Sequence, residues 1–460
     1  MQTINWQQFG LRSNPYDTEA LTEGGELSIR DAFVGRESER KTIDALLESE
    51  NRLALAVCGG TGVGKTSLVN YEKYLWKNNT KKQLFSFRRE IEACDDLLDK
   101  RNFLLEIIAS VIREMRLIEP NLLKNGIVAR LSQLVDITQT MAISASVSAD
   151  VLGYGGGFGF SKDISVAQPM KMPTATLEQY FLELLEFIKS NTIGGIRYSG
   201  LIVHANNFDE LMRRGEASKE RMRNFFGDIR DILQTKDAYF IFLGPRNFQS
   251  EIITPIQRVK SVFSFEPLLI EPLAKREVVR AFEERMKLLK SEGVSEYIRP
   301  VHNDVVFRLH DLYHGDIRCI MTALRDLLGQ YSEKLASPLT ADEAMLLLGK
   351  ERWERVEQMG FGTEQQEVLK FIVTRNGNTT QKDITDILKK AASNVSSYYI
   401  GPFKENQIIE EKGKEGRTIL YGLTTTYEPL RWFFESRKQV EQQNMELKSK
   451  QESLFSPTIE

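Results

Sequence analysis

The segment from residue 59 to residue 66 reads Gly-Gly-Thr-Gly-Val-Gly-Lys-Thr, which has the Gly-x-x-x-x-Gly-Lys-Thr spacing of a phosphate-binding loop. In such a loop backbone N–H groups surround a β-phosphate, Lys65 reaches the β- and γ-phosphate oxygens, and the Thr66 hydroxyl ligates Mg²⁺. The apolar run 53–57 predicts a buried strand before the loop, and residues 66–76 predict a helix after it. The sequence therefore predicts an α/β fold that binds ATP and Mg²⁺. The ATP-contacting residues expected from the loop are Gly59, Gly60, Thr61, Gly62, Val63, Gly64, Lys65, Thr66 and Ser67.

Composition limits the possible partners. The length of 460 residues allows about two to four domains. A net charge of −3 argues against nucleic-acid binding through overall positive charge, so any DNA contact must come from a local patch. The cysteines at 58, 94 and 319 are scattered and suit a reducing compartment. Since the sequence has no signal-peptide pattern and no bilayer-length apolar run, we expect a cytoplasmic protein without a membrane partner.

The pattern along the chain predicts more than one domain. From residue 33 to about residue 271, apolar runs alternate with helical periods, as is typical of a parallel sheet with crossover helices. Residues 274–332 predict helices alone, and a further unit begins after residue 360. Beyond the strand at 53–57, the candidate strands are 84–87, 201–205 and 239–243.

One segment interrupts this alternation. Residues 143–151 alternate with period two, a glycine-rich aromatic stretch follows at 154–160, and residues 163–166 resume the alternation. The pattern predicts a β-hairpin inserted at about 141–168. Its tip is a candidate for contact with DNA or a neighbouring subunit, and the alternative is a surface elaboration.

Four further segments occur in a fixed order around the loop. Residues 33–39 read Phe-Val-Gly-Arg-Glu-Ser-Glu before the first strand, and residues 243–247 read Leu-Gly-Pro-Arg-Asn after a later one. Residues 255–263 contain Gln-Arg-Val, and residues 314–318 read His-Gly-Asp-Ile-Arg at the start of a helix. In this order, over about residues 30–335, the set resembles the AAA+ ATPases of the origin-initiator and helicase-loader branch and similar ATPases of mobile elements.

The resemblance implies a role for particular residues. Val34 and Gly35 would lie against the adenine base, and Asn247 would be the sensor-1 residue near the γ-phosphate. Arg258 would be the arginine finger that reaches ATP on an adjacent subunit, because a guanidinium is always charged and binds phosphate oxygens in pairs. Arg318 would be the sensor-2 residue of a helical lid. The implied fold is a P-loop AAA+ parallel sheet with an α-helical lid, and the implied assembly is a homo-oligomer through the ATP interface.

The chain departs from the family at its second core motif, an apolar strand followed by Asp-Glu-x-Asp. Here Asn206 stands in place of the Mg²⁺-binding Asp, Asn207 in place of the catalytic Glu, and Asp209 keeps its identity. An amide is a poor general base, so hydrolysis should be slower by about 10²–10⁴-fold, while ATP binding is retained. A register slip that gives Asp209 and Glu210 the catalytic roles is the alternative, although it would place polar residues inside the strand.

The C-terminal region predicts a winged helix-turn-helix, a module that the initiator resemblance also implies. Residues 366–374 have helical periodicity, 380–383 form a helix-start signature, and a third helix begins at 393. Two alternating segments, 407–410 and 417–423, flank a loop at 412–416.

In such a module the third helix enters the major groove of double-stranded DNA. Between residues 363 and 432 there are ten Lys or Arg and nine Asp or Glu, so the net charge is 10 − 9 = +1. Many winged helices bind proteins instead, so a protein partner stays open. The candidate base-contacting residues are Ser393, Asn394, Ser396, Ser397 and Tyr398, and the candidate phosphate-contacting residues are Lys404, Lys412, Lys414 and Arg417.

These patterns favour an ATP-binding, DNA-associated AAA+ protein with nucleotide-dependent assembly and weak or absent hydrolysis. The alternative is a STAND-like nucleotide switch that acts through protein partners in regulation or anti-phage defence; the absence of a repeat array in the sequence weakens it. The predicted domains are an N-terminal arm (1–31), an AAA+ nucleotide-binding domain (32–272), a helical lid (273–350), a winged helix (361–432) and a polar tail (433–460).

Overall fold

The computed structural model describes residues 4–124, 126–136, 172–263, 266–331, 337–375, 377–416 and 418–437. These residues form two compact units. One contains residues 19–273 and 283–288, and the other contains the described residues of 1–18, 274–282 and 289–460. The predicted hairpin at 141–168 and most of the predicted tail lie outside the described residues. The domain boundaries expected from the sequence stay a prediction.

A parallel sheet organises the unit of residues 19–273. Its strands follow the order β2-β4-β5-β1-β6, and the short β3 also pairs with β4. Because β5 pairs with both β1 and β4, the carboxyl ends of these three strands lie at one edge of the sheet. The strand bounds are β1 Leu53–Gly59, β2 Leu84–Ser86, β3 Ile91–Glu92, β4 Gly200–Asn206, β5 Ala238–Gly244 and β6 Leu268–Ile270.

Helices cover both faces of this sheet, so the strands are buried on both sides and appear as continuous apolar runs. Side chains alternate between two cores: Ala54, Ala56 and Phe242 face one, and Leu55 and Val57 face the other. The helices of this unit are α1 Ile29–Ala32, α2 Glu37–Ser49, α3 Lys65–Lys77, α4 Lys100–Ile118, α5 126–136, α6 Thr174–Ser190, α7 Phe208–Arg213, α8 Glu216–Asp228 and α9 Gln257–Lys260.

The other unit begins with helices, as the sequence predicts for residues 274–332. The N-terminal segment packs here: Tyr16 meets Phe282 edge-on at 5.3 Å between ring centroids, and Leu11 forms a β-bridge with Lys290. Some residues of the segment that the sequence predicts to be an N-terminal arm therefore belong to this core. The helices are α10 Lys275–Leu288, which contributes to both units, α11 Asn303–Leu312, α12 Ile317–Tyr331 and α13 Ala341–Gln358.

The C-terminal part of this unit has the order of a winged helix. Three helical segments precede a β-hairpin, and an antiparallel sheet forms in the order β7-β9-β8. The predicted helix start at Thr380 is present, since its hydroxyl accepts a hydrogen bond from the backbone N–H of Asp383 at 3.1 Å. The elements are α14 Thr363–Thr374, β7 Thr379–Thr380, α15 Gln381–Leu388, α16 Ala392–Val395, the π-helix Ser396–Ile400, α17 Gly401–Glu405, β8 Ile409–Glu415, β9 Thr418–Leu423 and α18 430–437.

The prediction of a loop at 412–416 is wrong for residues 412–415. Residues Lys412 and Lys414 lie on β8, which continues to Glu415. The register with β9 shifts between Glu411 and Gly413, so one extra residue is accommodated as a bulge. The turn is made at Gly416, whose φ of 62° lies in the left-handed region that glycine adopts without strain.

The described residues confirm the predicted fold class: a parallel sheet with a P-loop, a helical region, and a C-terminal part with the element order of a winged helix. Among the helices that the structure describes, none is long and apolar enough to cross a membrane.

Candidate nucleotide site and candidate DNA-facing surface

The loop at 59–66 turns from the end of β1 into the start of α3. A Cβ on Gly59 would lie 2.6 Å from the carbonyl oxygen of Ile270 on β6, so only glycine fits there. Gly64 has φ of 90° and lies immediately before α3, whose first residue is Lys65. The loop is therefore held between two strands, and the N-terminal end of α3 is directed toward it.

Lys65 is buried and contacts three oxygens. Its Nζ donates to the carbonyl oxygens of Gly59 at 3.0 Å and Gly60 at 2.9 Å, and it lies 3.1 Å from Oδ2 of Asp209 on α7. The other carboxylate oxygen of Asp209 is buried and makes no hydrogen bond within the described structure. Helix α7 thus places the Asp209 carboxylate beside Lys65, while β4 ends at Asn206.

Asn206 ends β4 opposite the loop. Its Nδ2 donates to the Thr66 hydroxyl at 3.0 Å, and its Oδ1 accepts from the backbone N–H of Asn207 at 2.7 Å. Asn207 is exposed and has φ of 71°, a conformation that asparagine tolerates better than most residues. The Asn206 amide therefore lies beside the hydroxyl that the sequence predicts to be a metal ligand, and the expected replacement of the family's two carboxylates stays a prediction.

These residues fit a magnesium ion that is bound chiefly by the phosphates of ATP. Thr66 and Asn206 offer only neutral oxygens, and the Asp209 carboxylate beside the loop is paired with Lys65. Within the described ranges, no group of three His, Cys, Asp or Glu residues could hold a metal without such help.

The segment expected at the adenine base is joined to the loop by Arg36. Its Nη2 donates to the carbonyl oxygen of Val63 at 2.7 Å, and its Nη1 lies 2.9 Å from Glu39 Oε1. Val34 and Gly35 lie directly before it, and Arg36 itself has φ of 70°. The structure thus brings this segment and the phosphate-binding loop together.

The Ser67 hydroxyl contacts a different segment of the same unit. Its hydroxyl oxygen accepts a hydrogen bond from the backbone N–H of Leu21 at 3.2 Å. Ser67 therefore anchors the segment before α1, and its expected role in ATP binding stays a prediction.

A cleft of about 380 Å³ adjoins the loop. It joins the carboxyl end of β1, helix α7 and the residues after β5, so it brings Asn247 and Asp209 to the same space. Asn247 donates from Nδ2 to Glu251, a residue of the π-helix Gln249–Ile253. The lining residues are Gly59, Gly60, Thr61, Asp209, Met212, Arg213, Lys219, Pro245, Arg246 and Asn247.

The two arginines expected to read the nucleotide are both exposed on helices. Arg258 is exposed on α9, and its guanidinium lies against Gly227, where an added Cβ would be 3.2 Å from Nη2. It does not line the cleft beside its own loop. Arg318 is exposed near the start of α12, in the other unit.

The predicted third helix of the winged module presents a polar surface. Val395 and Tyr399 are buried, and Tyr398 is 66% exposed. The hydroxyl of Tyr399 donates to Glu364 on α14 at 2.6 Å, which fixes the helix against the module. The expected base-contacting residues are all exposed: Ser393, Asn394, Ser396, Ser397 and Tyr398.

The basic residues of this surface are close to acids. Lys404 lies 2.7 Å from Glu411, and Lys412 lies 2.7 Å from Glu410. Lys414 is exposed on β8, and Arg417 lies outside the described residues. The local positive charge is therefore smaller than the number of lysines suggests.

Helix α3 also carries a buried carboxyl group. Burial raises the pKa of Glu72 to about 8, and the neighbouring Asp44 adds to the rise, while Arg40 at 3.0 Å opposes it. Since the folded pKa lies above the ordinary 4.5, the contribution to stability is complete below about pH 4.5 and is lost as pH rises toward 8. We expect the free energy of unfolding to decline in that window by up to about 1.4 kcal/mol per pH unit.

Urea unfolding at about pH 5 and about pH 7.5 measures this effect. Glu72→Gln keeps the acceptor for Arg40 and should flatten the decline. Parallel pH profiles of the parent and the variant would contradict the assignment.

Comparison with known proteins gave matches among solved structures only. No family profile and no curated protein matches the chain. Similar structures include the Orc1 protein of Aeropyrum pernix in complex with DNA, at 13% identity and a TM-score of 0.43, over 87% of this chain and 93% of that chain. Cdc6p from Pyrobaculum aerophilum has 13% identity and a TM-score of 0.39, over 91% and 99%. The Thermotoga maritima RuvB Holliday junction branch migration motor has 11% identity and a TM-score of 0.36, over 84% and 92%.

The strand order and the position of the loop between β1 and α3 define a P-loop parallel sheet. The resemblance to the origin-initiator branch stays a prediction, as do the roles of individual site residues. The sequence reasoning missed Lys219, because no motif marks it and only the packing of α8 brings it to the cleft, where it pairs with Glu251.

Proposed function

We propose that this chain binds ATP with Mg²⁺ at residues 59–67, hydrolyses it slowly or not at all, and uses its nucleotide state to control assembly on DNA. The observation that carries this proposal is the contact between Asn206 and Thr66, which puts a neutral amide beside the metal-binding hydroxyl.

The phosphate side of the site supports binding. Phosphate oxygens can exchange with the three oxygens that now accept from Lys65, and the backbone of the loop is already held by Arg36 and β6. The hydrolytic side is weaker. Asn207 cannot accept a proton from water at neutral pH, and Asp209 is paired with Lys65.

Assembly is supported by the position of Arg258. The side chain is exposed. Among the described residues, it does not line the cleft beside the phosphate-binding loop of its own chain. It is therefore available to a nucleotide on a second copy of the chain, as an arginine finger supplied from a neighbour.

DNA contact is supported by the exposed polar side chains of the third helix and by exposed Lys404 on α17 and Lys414 on β8. One observation favours the second candidate, a nucleotide switch that acts through a protein partner. The pairing of Lys404 and Lys412 with glutamates leaves this surface nearly neutral, as at many protein interfaces.

Size-exclusion chromatography with light scattering, with and without ATP and double-stranded DNA, tests the proposal. We expect larger species with both ligands. Lys65→Ala should weaken ATP binding by about 10- to 100-fold, since a hydrogen bond to a charged partner contributes about 1.5–3 kcal/mol. Arg258→Ala should retain ATP binding and lose the larger species.

Lys81→Ala removes an exposed lysine just beyond α3 and serves as the control. A monomer of constant mass that is indifferent to DNA would reject the assembly proposal and favour the switch.

A further inference from the structure

One glutamate side chain holds two of the groups that line the cleft. Oε2 of Glu251 lies 2.5 Å from Nζ of Lys219 on α8, and its Oε1 accepts a hydrogen bond from Asn247 Nδ2. Both Lys219 and Asn247 line the cleft beside Gly60 and Thr61 of the loop. The carboxylate therefore offers two anionic oxygens to a cation and an amide donor, as a terminal phosphate group would.

Lys219 is the most enclosed of the cations in this cleft. Its side chain is 22% exposed, whereas those of Arg213 and Arg246 are 64% and 62% exposed. An ionic contact at a partly desolvated lysine is stronger than one at a fully solvated arginine. Lys219 is thus the cation in the cleft best suited to recognise a phosphate.

The backbone of Glu251 is held by two hydrogen bonds of its own. Its N–H donates to the carbonyl oxygen of Asn247 at 2.9 Å, and its own carbonyl accepts from Nε of Arg223 at 2.9 Å. The residue belongs to a π-helix, a local geometry frequent at functional sites. The hydrogen bond from Lys219, and then that from Asn247, lowers the pKa of Glu251, which keeps it anionic at neutral pH. Rotation of one side chain is enough to release both partners.

We propose that Glu251 and the γ-phosphate of ATP compete for Lys219 and Asn247, so that this trio distinguishes ATP from ADP. This inference rests on the proposed function. ADP has no group at that position and leaves the Glu251 contacts in place. ATP displaces the carboxylate, and Lys219 becomes a ligand of the γ-phosphate.

Affinities for Mg²⁺-ADP and for the Mg²⁺ complex of the non-hydrolysable imido analogue of ATP test the proposal. Lys219→Met should weaken binding of the ATP analogue by about tenfold and leave ADP binding unchanged. Glu251→Gln should strengthen binding of the analogue by about two- to fivefold, because the competing charge is gone. In the double variant, Glu251→Gln should add nothing to Lys219→Met.

Glu216→Gln is the matched control, because Glu216 lies on α8, as Lys219 does, and forms an ion pair with Arg223. It should leave the ratio of the two affinities unchanged, and Lys219→Arg should restore most of the discrimination. Thermal unfolding of each variant separates a folding defect from a binding effect. Equal changes for both nucleotides, or none, would overturn this proposal alone. Failure of the unaltered chain to bind either nucleotide would overturn the proposed function as well.

Discussion

The double substitution Asn206→Asp with Asn207→Glu is expected to raise the rate of ATP hydrolysis by about 10²–10⁴-fold, the range contributed by a general base. Asn206 already contacts the Thr66 hydroxyl at 3.0 Å, so an aspartate there would offer a charged oxygen to the metal shell. A glutamate at position 207 follows the end of β4 and can reach a water beside the γ-phosphate. Its backbone φ of 71° costs a non-glycine residue about 1 kcal/mol, which is small against the gain.

The control for this gain is Asn206→Asp with Asn207→Gln. Glutamine has the length and the backbone cost of glutamate but cannot accept the proton. Steady-state phosphate release by the two double variants isolates the carboxylate. Equal rates would mean that position 207 does not contact the attacking water.

Neutralising Lys404 and Lys414 together is expected to weaken binding to double-stranded DNA by roughly 60-fold at about 0.1 M salt. The reasoning is electrostatic: each lost phosphate contact makes the salt dependence shallower by about 0.9, so two contacts change the slope by about 1.8. The variants are Lys404→Gln and Lys414→Gln, and fluorescence anisotropy across a salt series measures both the affinity and the slope.

The glutamates of β8 give a prediction of opposite sign for the same surface. Glu410→Gln and Glu411→Gln release Lys412 and Lys404 from their ion pairs and should strengthen DNA binding. Lys370→Gln on α14 is the control, because this lysine is paired with Glu367 outside the third helix and the hairpin. If all of these variants bind DNA with one affinity and one salt slope, this surface does not contact the phosphate backbone.

Much of the sheet could be predicted because its strands are apolar on both faces and its loop has a strict spacing. The predicted strand at 201–205 corresponds to β4, and the glycine-rich loop lies between β1 and α3 as expected. His204 on β4 is fully buried, and burial holds its pKa well below the ordinary value, so it stays neutral.

The rest depended on contacts between residues far apart in the chain. The sequence places Lys219 and Glu251 on different elements 32 positions apart, and their meeting requires the packing of α8 against the residues after β5. The same holds for Asp209 and Lys65, which are 144 positions apart. The loop expected at 412–416 is mostly strand, because a bulge at Lys412 lets β8 continue its pairing with β9 as far as Glu415.

The hydrogen bond from Arg36 to the Val63 carbonyl has a consequence for selectivity among nucleobases if the predicted roles of its neighbours hold. It ties the segment at Val34 and Gly35, predicted to lie against the base, to the turn predicted to surround the phosphates. A base that displaced the first segment would then also disturb the second. Discrimination between adenine and guanine would appear as weaker phosphate coordination, without any donor or acceptor that reads the purine edge.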